Sequence, residues 1–372
     1  MYYFRIVSRK VDSLLNPQAH ELILLIRVFK LKLTNTQDIY QFLRMYIPSI
    51  ALNSALELGI FWHLSNEPRS ADKIAQITNI PLHRSRTLLE LLTKLGLLEK
   101  KNEMYNPSAI AQKAILEGYS AETWAFFAKI AQDRYPLLNN LTSSITYPDS
   151  LWNKHPIQPL NWFNQMLTSP EYAKKFTYGL YEHHLSFAKK FAQIFDMSGV
   201  DIMMDIGGGS GVMSLELLRR HSHLKAVVID IENVCIYGRE IAAKTPMKNR
   251  ISYEVLDFLQ DELPKGFDLI LQCDAGIHSK DFFNKLRRSL TDSGCLVIIT
   301  NIDDDSDWLN HPNSQESLYK SMNRFYSSLE VPIVKRRPKT IENVKQFLLQ
   351  GGFQKVEHNI WDKGEVIIQA FR

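Results

Sequence analysis

The stretch "VDIMMDIGGGSGVMSLELLRRH", Val200 to His221, decides the fold. Ile202 to Ile206 is an apolar run of strand length, and Leu215, Leu217 and Leu218 belong to a helix that follows. Between them Gly207, Gly209 and Gly211 give a G-x-G-x-G turn. Glycines there accept positive φ and let a ligand approach the backbone closely, while the next helix offers unpaired N–H groups. A glycine-rich turn with no ligand is the plain alternative. From Asp201 to Arg372 short apolar strands alternate with helices, which predicts a doubly wound, Rossmann-like α/β domain.

The acids that follow the loop suggest a ligand. A dinucleotide fold prefers G-x-G-x-x-G and a pyrophosphate at the helix end. Here Asp205 stands directly before the glycines, where it suits an amine or a zwitterion and repels a phosphate. The next strand, "LKAVVIDI", ends in Asp230 with Ile231 beside it, and a carboxylate there can accept both hydroxyls of a ribose. NAD and S-adenosyl-L-methionine (SAM) sites share that feature. The third strand, "ISYEVLDF", ends in Asp257 and Phe258, an acid for an adenine amino group beside a ring to cover the base. Each acid alone is equally readable as a helix cap. Their recurrence at three successive strand ends favours SAM over NAD.

Around this domain the chain is of ordinary soluble composition. It has 372 residues, 45% apolar and 23% charged, with a formal charge of +4. That charge is small for the length and argues against a dominant nucleic-acid surface. Cys235, Cys273 and Cys295 are far apart and form no CxxC pair, which fits a reducing compartment and gives no metal site. No signal peptide and no run of 18 apolar residues is present, so a cytoplasmic protein that does not enter a membrane is expected.

Four regions are expected. Residues 1–35 read as a helical extension. Residues 36–110 begin with "IYQFLRMYIPSIALNSALELGIFWHLSNEPR", helical in spacing but interrupted at Pro48 and closed near Gly59 and Pro68. Ser70 then caps a short helix with Lys73 at its third position, so only half of a capping box is present. The turn "TNIP", a second helix from Pro81 or Leu82 to Leu95, the stop at Gly96 and the weakly alternating "LLEKKNEMYNP" complete a winged-helix order. His83, Arg84 and Arg86 near the start of that second helix invite a DNA-binding reading, against which stands the modest charge. Residues 111–198 are helical and aromatic, and residues 199–372 form the α/β domain.

These blocks together resemble the SAM-dependent O-methyltransferases that include plant caffeate and flavonoid enzymes and bacterial natural-product methyltransferases. The resemblance runs from about Ile39 to Phe371 through "ALELGIFWHL", "DIGGGSG", "VVIDIENV", "LDF", "GIHSKD", "RRSLTDSGCLVII" and "RPKTIENVKQFLLQGGF". It implies a winged-helix domain that forms a homodimer and does not bind DNA. It implies a glycine loop (Asp205, Gly207, Gly209, Gly211) for the methionine part of SAM, Asp230 for ribose, and Asp257 with Phe258 for adenine. Cys273 occupies a position after the fourth strand that often carries lysine or another polar group.

The resemblance also assigns the catalytic base to His278, which would take the proton from an acceptor hydroxyl; histidine suits this because it titrates near neutrality. S-adenosyl-L-homocysteine would be the product. Two positions depart from the pattern. Ser279 and Lys280 stand where Asp or Asn, then often Trp, are usual. Thr300, followed by Asn301 and "DDDSD", stands where a glutamate would orient the histidine, leaving Asp303 or Glu342 as substitutes. The flexible "DAG" before Ile277 can also shift the ring. N- or C-methylation, a different reaction in the same pocket, and a ligand-responsive DNA-binding protein are the alternatives.

The acceptor is expected to be a small aromatic or polyketide-like molecule. Candidate pocket residues are Trp124, Phe127, Trp162, Phe163 and Met166, together with Phe176, Tyr178, Met322 and Phe325. Aromatic stripes at helical spacing more often form core, so some of these are expected to pack internally.

Overall fold

Apolar residues at alternate positions of Ile202–Ile206 can face two layers at once, and they do. In the computed structural model Met203 packs into a core cluster on one side of a sheet, while Met204 and Ile206 pack into another on the opposite side. The structure describes residues 34–133, 135, 142, 145, 162–274, 277–301, 322, 325, 340–361 and 365–372. The chain divides into two compact units, Met1–Pro136 and Leu137–Arg372.

The described part of the first unit begins with α1 (Thr36–Phe42), α2 (Tyr46–Glu57) and α3 (Ile60–Ser65). Pro48, expected to interrupt the helix, lies instead in the first turn of α2, where a missing N–H costs no helical bond. The chain breaks just before it, after Phe42. Gly59, at φ 65°, makes the turn into α3. A short β1 (Arg69–Ser70) precedes α4 (Ala71–Thr78), whose N-cap Ser70 accepts from the Lys73 N–H at 3.3 Å. Asn79, in the left-handed region, ends α4, and α5 (Leu82–Lys94) follows. Strands β2 (Leu98–Lys101) and β3 (Met104–Pro107) form the wing, with β1 added to β3 as a third strand. Then come α6 (Ala109–Ala111), a π-helical turn (Gln112–Leu116) and α7 (Ala121–Asp133). Ile60, Phe61, Leu64, Ile74, Leu89 and Leu92 meet in the core of this unit.

The second unit is a sheet covered on both faces. Helices α8 (Trp162–Thr168) and α9 (Pro170–Ile194) lead into β4 (Ile202–Ile206), α10 (Val212–Arg220), β5 (Lys225–Asp230), α11 (Glu232–Ala243) and β6 (Ile251–Val255). After these come β7 (Phe267–Cys273), α12 (Lys280–Ser289), β8 (Leu290–Asn301), α13 (Ile341–Gln350), β9 (Lys355–Ile360) and β10 (Glu365–Phe371). The strand order is β6-β5-β4-β7-β8-β10-β9. The first five strands are parallel and β10 runs antiparallel to both its neighbours. Helices α9, α10 and α11 cover one face, and α12 and α13 cover the other.

Chain direction across the sheet reverses between β4 and β7, because β4, β5 and β6 run outward one way and β7 and β8 the other. In an open parallel sheet, ligands bind in the crevice at the carboxyl ends of the strands beside such a reversal. The glycine loop after β4 opens at that place. Among the described residues no helix is long and apolar enough to cross a membrane.

Candidate active site

Asp205 ends the apolar run of β4 on the α9 side and is fully buried. Its Oδ2 accepts a hydrogen bond from Ser214 Oγ at 2.7 Å, and its Oδ1 has no hydrogen-bond partner among the described residues. Burial pushes this carboxyl up to about 6, and the nearby Asp230 charge adds to the effect, while the Ser214 bond opposes it. Gly208 lies directly over it: a Cβ there would stand 2.5 Å from Asp205 Cγ. Gly207, Gly209 and Gly211 all have positive φ, which side-chain-bearing residues adopt only with strain. A Cβ on Gly209 would meet nothing within 4 Å, so the crest of the loop faces open space.

Asp230 closes the loop from the neighbouring strand. Its Oδ2 accepts from the Gly209 N–H at 2.9 Å and its Oδ1 from the Ile231 N–H at 2.8 Å. Burial raises this carboxyl to about 6 despite both bonds. Each carboxylate oxygen has a second lone pair, so the group can still accept hydroxyls. An orphaned buried oxygen below the loop, an open glycine crest and a strand-end carboxylate together fit a ligand with a cationic end and a ribose. They fit a phosphate poorly, because both acids would repel it.

Asp257 is exposed beyond β6, and its Oδ1 accepts from the N–H groups of Leu259 and Gln260, at 2.9 and 3.4 Å. It shapes its own turn, the capping role that a lone acid at a strand end allows. Phe258 is half-buried, its ring 5.9 Å from that of Phe282 and its carbonyl held by Lys285 Nζ at 3.0 Å. Cys273 is the last residue of β7, and burial pushes its thiol strongly up. It is therefore a neutral, weakly polar lining group.

His278 follows the β7 end on the opposite, α12 side of the sheet. Its ring lies 6.0 Å from Phe283, a fully buried residue of that core. Ser279 is the N-cap of α12 and accepts from the Phe282 N–H at 3.3 Å. The departure from Asp or Asn at that position is thus a change between good helix caps. Thr300 is buried in β8, opposite Val366 of β10. Glu342 is exposed at the start of α13 and pairs with Lys345 at 3.4 Å. Asp303 lies outside the described residues.

Polar groups that sequence reasoning passed over also surround these strand ends. Gln272 is fully buried in β7 and donates from Nε2 to the Ile277 carbonyl at 2.9 Å, tying the strand to the segment that carries His278. A glutamine inside "LILQC" was the available signal. His183 and His184 on α9 have ring centroids 4.9 Å apart, and burial, followed by the charge of its neighbour, drops His183 to about 4. Asp274 adopts φ 50°, unusual for a residue with a side chain.

The candidate pocket residues fall in both units. In the first unit, the Trp124 indole donates to the Ile115 carbonyl at 2.9 Å, and both Trp124 and Phe127 pack edge-on or tilted against Tyr119. In the second, buried Met166 and half-buried Phe176 pack with Val234 of α11, and Tyr178 Oη donates to Glu240 and accepts from Lys244. Phe163, Met322 and Phe325 are exposed, while the Trp162 side chain lies outside the described residues. Tyr178, Met166 and Phe176 therefore have packing roles within their own unit.

Comparison with known proteins agrees with this architecture. Residues 144–331 match the O-methyltransferase domain, and residues 40–115 match the O-methyltransferase dimerisation domain. A 3-hydroxy-5-methyl-1-naphthoate 3-O-methyltransferase from Streptomyces sahachiroi is 31% identical over 220 residues, which are 59% of this chain and 62% of that protein. An N,N-dimethyltransferase, OxyT, from Streptomyces rimosus is 26% identical over 62% of this chain and 67% of its own. The structure of PigF with SAH shares the fold, with a TM-score of 0.75 over 91% of this chain and 100% of that one at 18% identity. The two domain matches stand in the order of the two units, dimerisation segment first and sheet second, and the chain belongs to the O-methyltransferase family.

Proposed function

We propose that this protein is a SAM-dependent methyltransferase acting on a hydroxyl of a small aromatic molecule, as a homodimer. One observation carries the reading: a glycine loop with an open crest is clamped between two carboxylates, the buried Asp205 from β4 and the half-buried Asp230 from β5. The naphthoate relative supports the aromatic hydroxyl as acceptor. Asp205 would face the cationic methionine end of SAM, Asp230 the ribose, and the Phe258 ring the adenine, with Asp257 at its edge. Cys273 would line the crevice as a neutral group.

Bound SAM supplies a methyl group already activated on sulfonium, so positioning of the acceptor accounts for most of the rate. His278 would take the proton from the acceptor hydroxyl as its oxygen becomes a nucleophile. A phenol, with a pKa near 10, needs only modest help from such a base. Gln272 would hold the Ile277 end of the segment and so limit where the imidazole stands. The test is transfer of labelled methyl from SAM to a panel of phenols, naphthols, amines and carbon acceptors. O-methylated aromatic products are expected. Transfer only to nitrogen or carbon, or no uptake of SAM by the purified chain, would overturn the reading.

A further inference from the structure

Three successive strands each send one polar side chain to the glycine loop, and only two of these were accounted for by the acids. Asp205 of β4 reaches Ser214 beyond the loop, and Asp230 of β5 reaches the Gly209 N–H. The third is Tyr253 of β6, whose phenol donates to the Ser210 carbonyl at 2.8 Å. Tyr253 and Ser210 are both buried, so that carbonyl has little access to water if the phenol is removed.

The ring is fitted between two glycines on different helices. A Cβ on Gly211, the N-cap of α10, would stand 2.5 Å from the phenol oxygen. A Cβ on Gly238, inside α11, would stand 2.3 Å from Tyr253 Cε1. Gly211 also has φ 74°, so both backbone conformation and space call for glycine there. Gly238 is helical and serves space alone. A glycine in a helix interior costs about 1 kcal/mol relative to alanine, and the close approach of the Tyr253 ring gives the physical reason for it. Burial and the neighbouring Asp205 charge push the phenol well above its usual range, which keeps it protonated and donating.

We infer that Tyr253 is a positioning residue for SAM: its phenol fixes the Ser210–Gly211 peptide and thereby the loop that would receive the methionine end. It also joins that loop to β6, the strand that ends at the turn carrying Asp257 and Phe258. Both ends of the cofactor site thus rest on one rigid side chain. The inference depends on the proposed use of SAM.

The experiment compares the full-length parent with Tyr253→Phe, which removes one oxygen and keeps the ring. SAM binding is read by calorimetry, KM for SAM and for the acceptor by steady-state kinetics, and folding by thermal melting. The variant is expected to bind SAM about tenfold more weakly, the scale set by leaving a buried acceptor unsatisfied. Its KM for SAM should rise in step, with kcat at saturating SAM and the acceptor KM within about twofold of the parent. Unchanged SAM affinity, with or without a lower melting temperature, would make the phenol a core hydrogen bond only and overturn the inference. Equal losses in SAM affinity, acceptor KM and kcat would mean general loosening and overturn it too. If the parent takes up no SAM, the cofactor reading itself fails, a result distinct from both. Gly238→Ala, which crowds the same ring from α11, should reproduce the selective loss of SAM affinity; normal affinity in a variant that keeps its fold would count against the inference.

Discussion

In the proposed SAM site Asp230 would have two tasks whose charge requirements oppose each other. As part of the fold it is a half-buried residue whose carboxyl, desolvated by the packing around it, is pushed up to about 6, where an exposed aspartate titrates near 4. Its raised pKa means that the folded state holds the proton more tightly than the unfolded chain. The resulting stability is full below about pH 4 and is lost as pH rises through about 6. As the proposed ribose acceptor it would work best ionised, beside a cationic ligand. SAM affinity is therefore expected to fall as pH is lowered from about 7.5 to about 5, even though Asp230's own contribution to the stability of the unliganded fold grows over that range. Asp205 titrates in the same range and faces Ser214, Tyr253 and Cys273, so both acids contribute. Calorimetry across this interval checks the trend, and Asp230→Asn should bind SAM weakly at neutral pH with a shallower pH dependence. A flat affinity in the parent would remove these carboxyls from the site. At His278, substitution by Ala is expected to lower kcat by about tenfold or more while leaving SAM affinity unchanged. Parent-like turnover on the true acceptor would show that the base assignment is wrong.

At the scale of elements, the segment from β7 to α12 carries the histidine and is held at both ends. Gln272 anchors its start through the Ile277 carbonyl, and Ser279 caps the helix that follows. Loss of an N-cap costs about 1 kcal/mol, so Ser279→Ala should lower stability by about that amount in chemical denaturation. Ser279→Asp should keep both stability and turnover, because aspartate caps equally well and its charge suits a helix N-terminus. A destabilised Ser279→Asp variant would mean that the hydroxyl has some other task. The glycine loop is a second such element. Gly208→Ala is expected to abolish SAM binding, since the new methyl would fall on the Asp205 carboxylate. Wild-type affinity in that variant would show that the loop moves freely.

At the scale of the whole molecule, the matched dimerisation segment begins where α1 and α2 expose a run of large apolar side chains. Tyr40, Leu43 and Tyr46 are 57%, 68% and 60% exposed, with Ile39 and Ile50 beside them in sequence. Apolar exposure concentrated in this way marks an interaction surface, which the proposed homodimer would use. The full-length protein is expected to sediment as a dimer, and Leu43→Asp with Tyr46→Asp should shift it to monomer. A parent that sediments as a monomer at micromolar concentration would remove the homodimer from the proposal.

Much of this was written locally. Strand–glycine–helix order, the cap at Ser70 and the acids at successive strand ends depend on neighbours within a few residues, and periodicity and turn chemistry expose such features directly. Pro48 was misread as a break because a proline's effect depends on where the first helical turn begins, which the surrounding residues set. What the tertiary structure alone decided was which polar groups share a space. Tyr253 meets Ser210 across 43 residues, and the Glu342 carboxylate turns to Lys345 in its own helix. Asp257 braces its own turn, Tyr178 joins Glu240 and Lys244, and Trp124 ties α7 to the π-helical turn. Burial and hydrogen-bond satisfaction are properties of the packed chain. A sequence names the groups that need partners, and only the assembled sheet and helices determine which partners they receive.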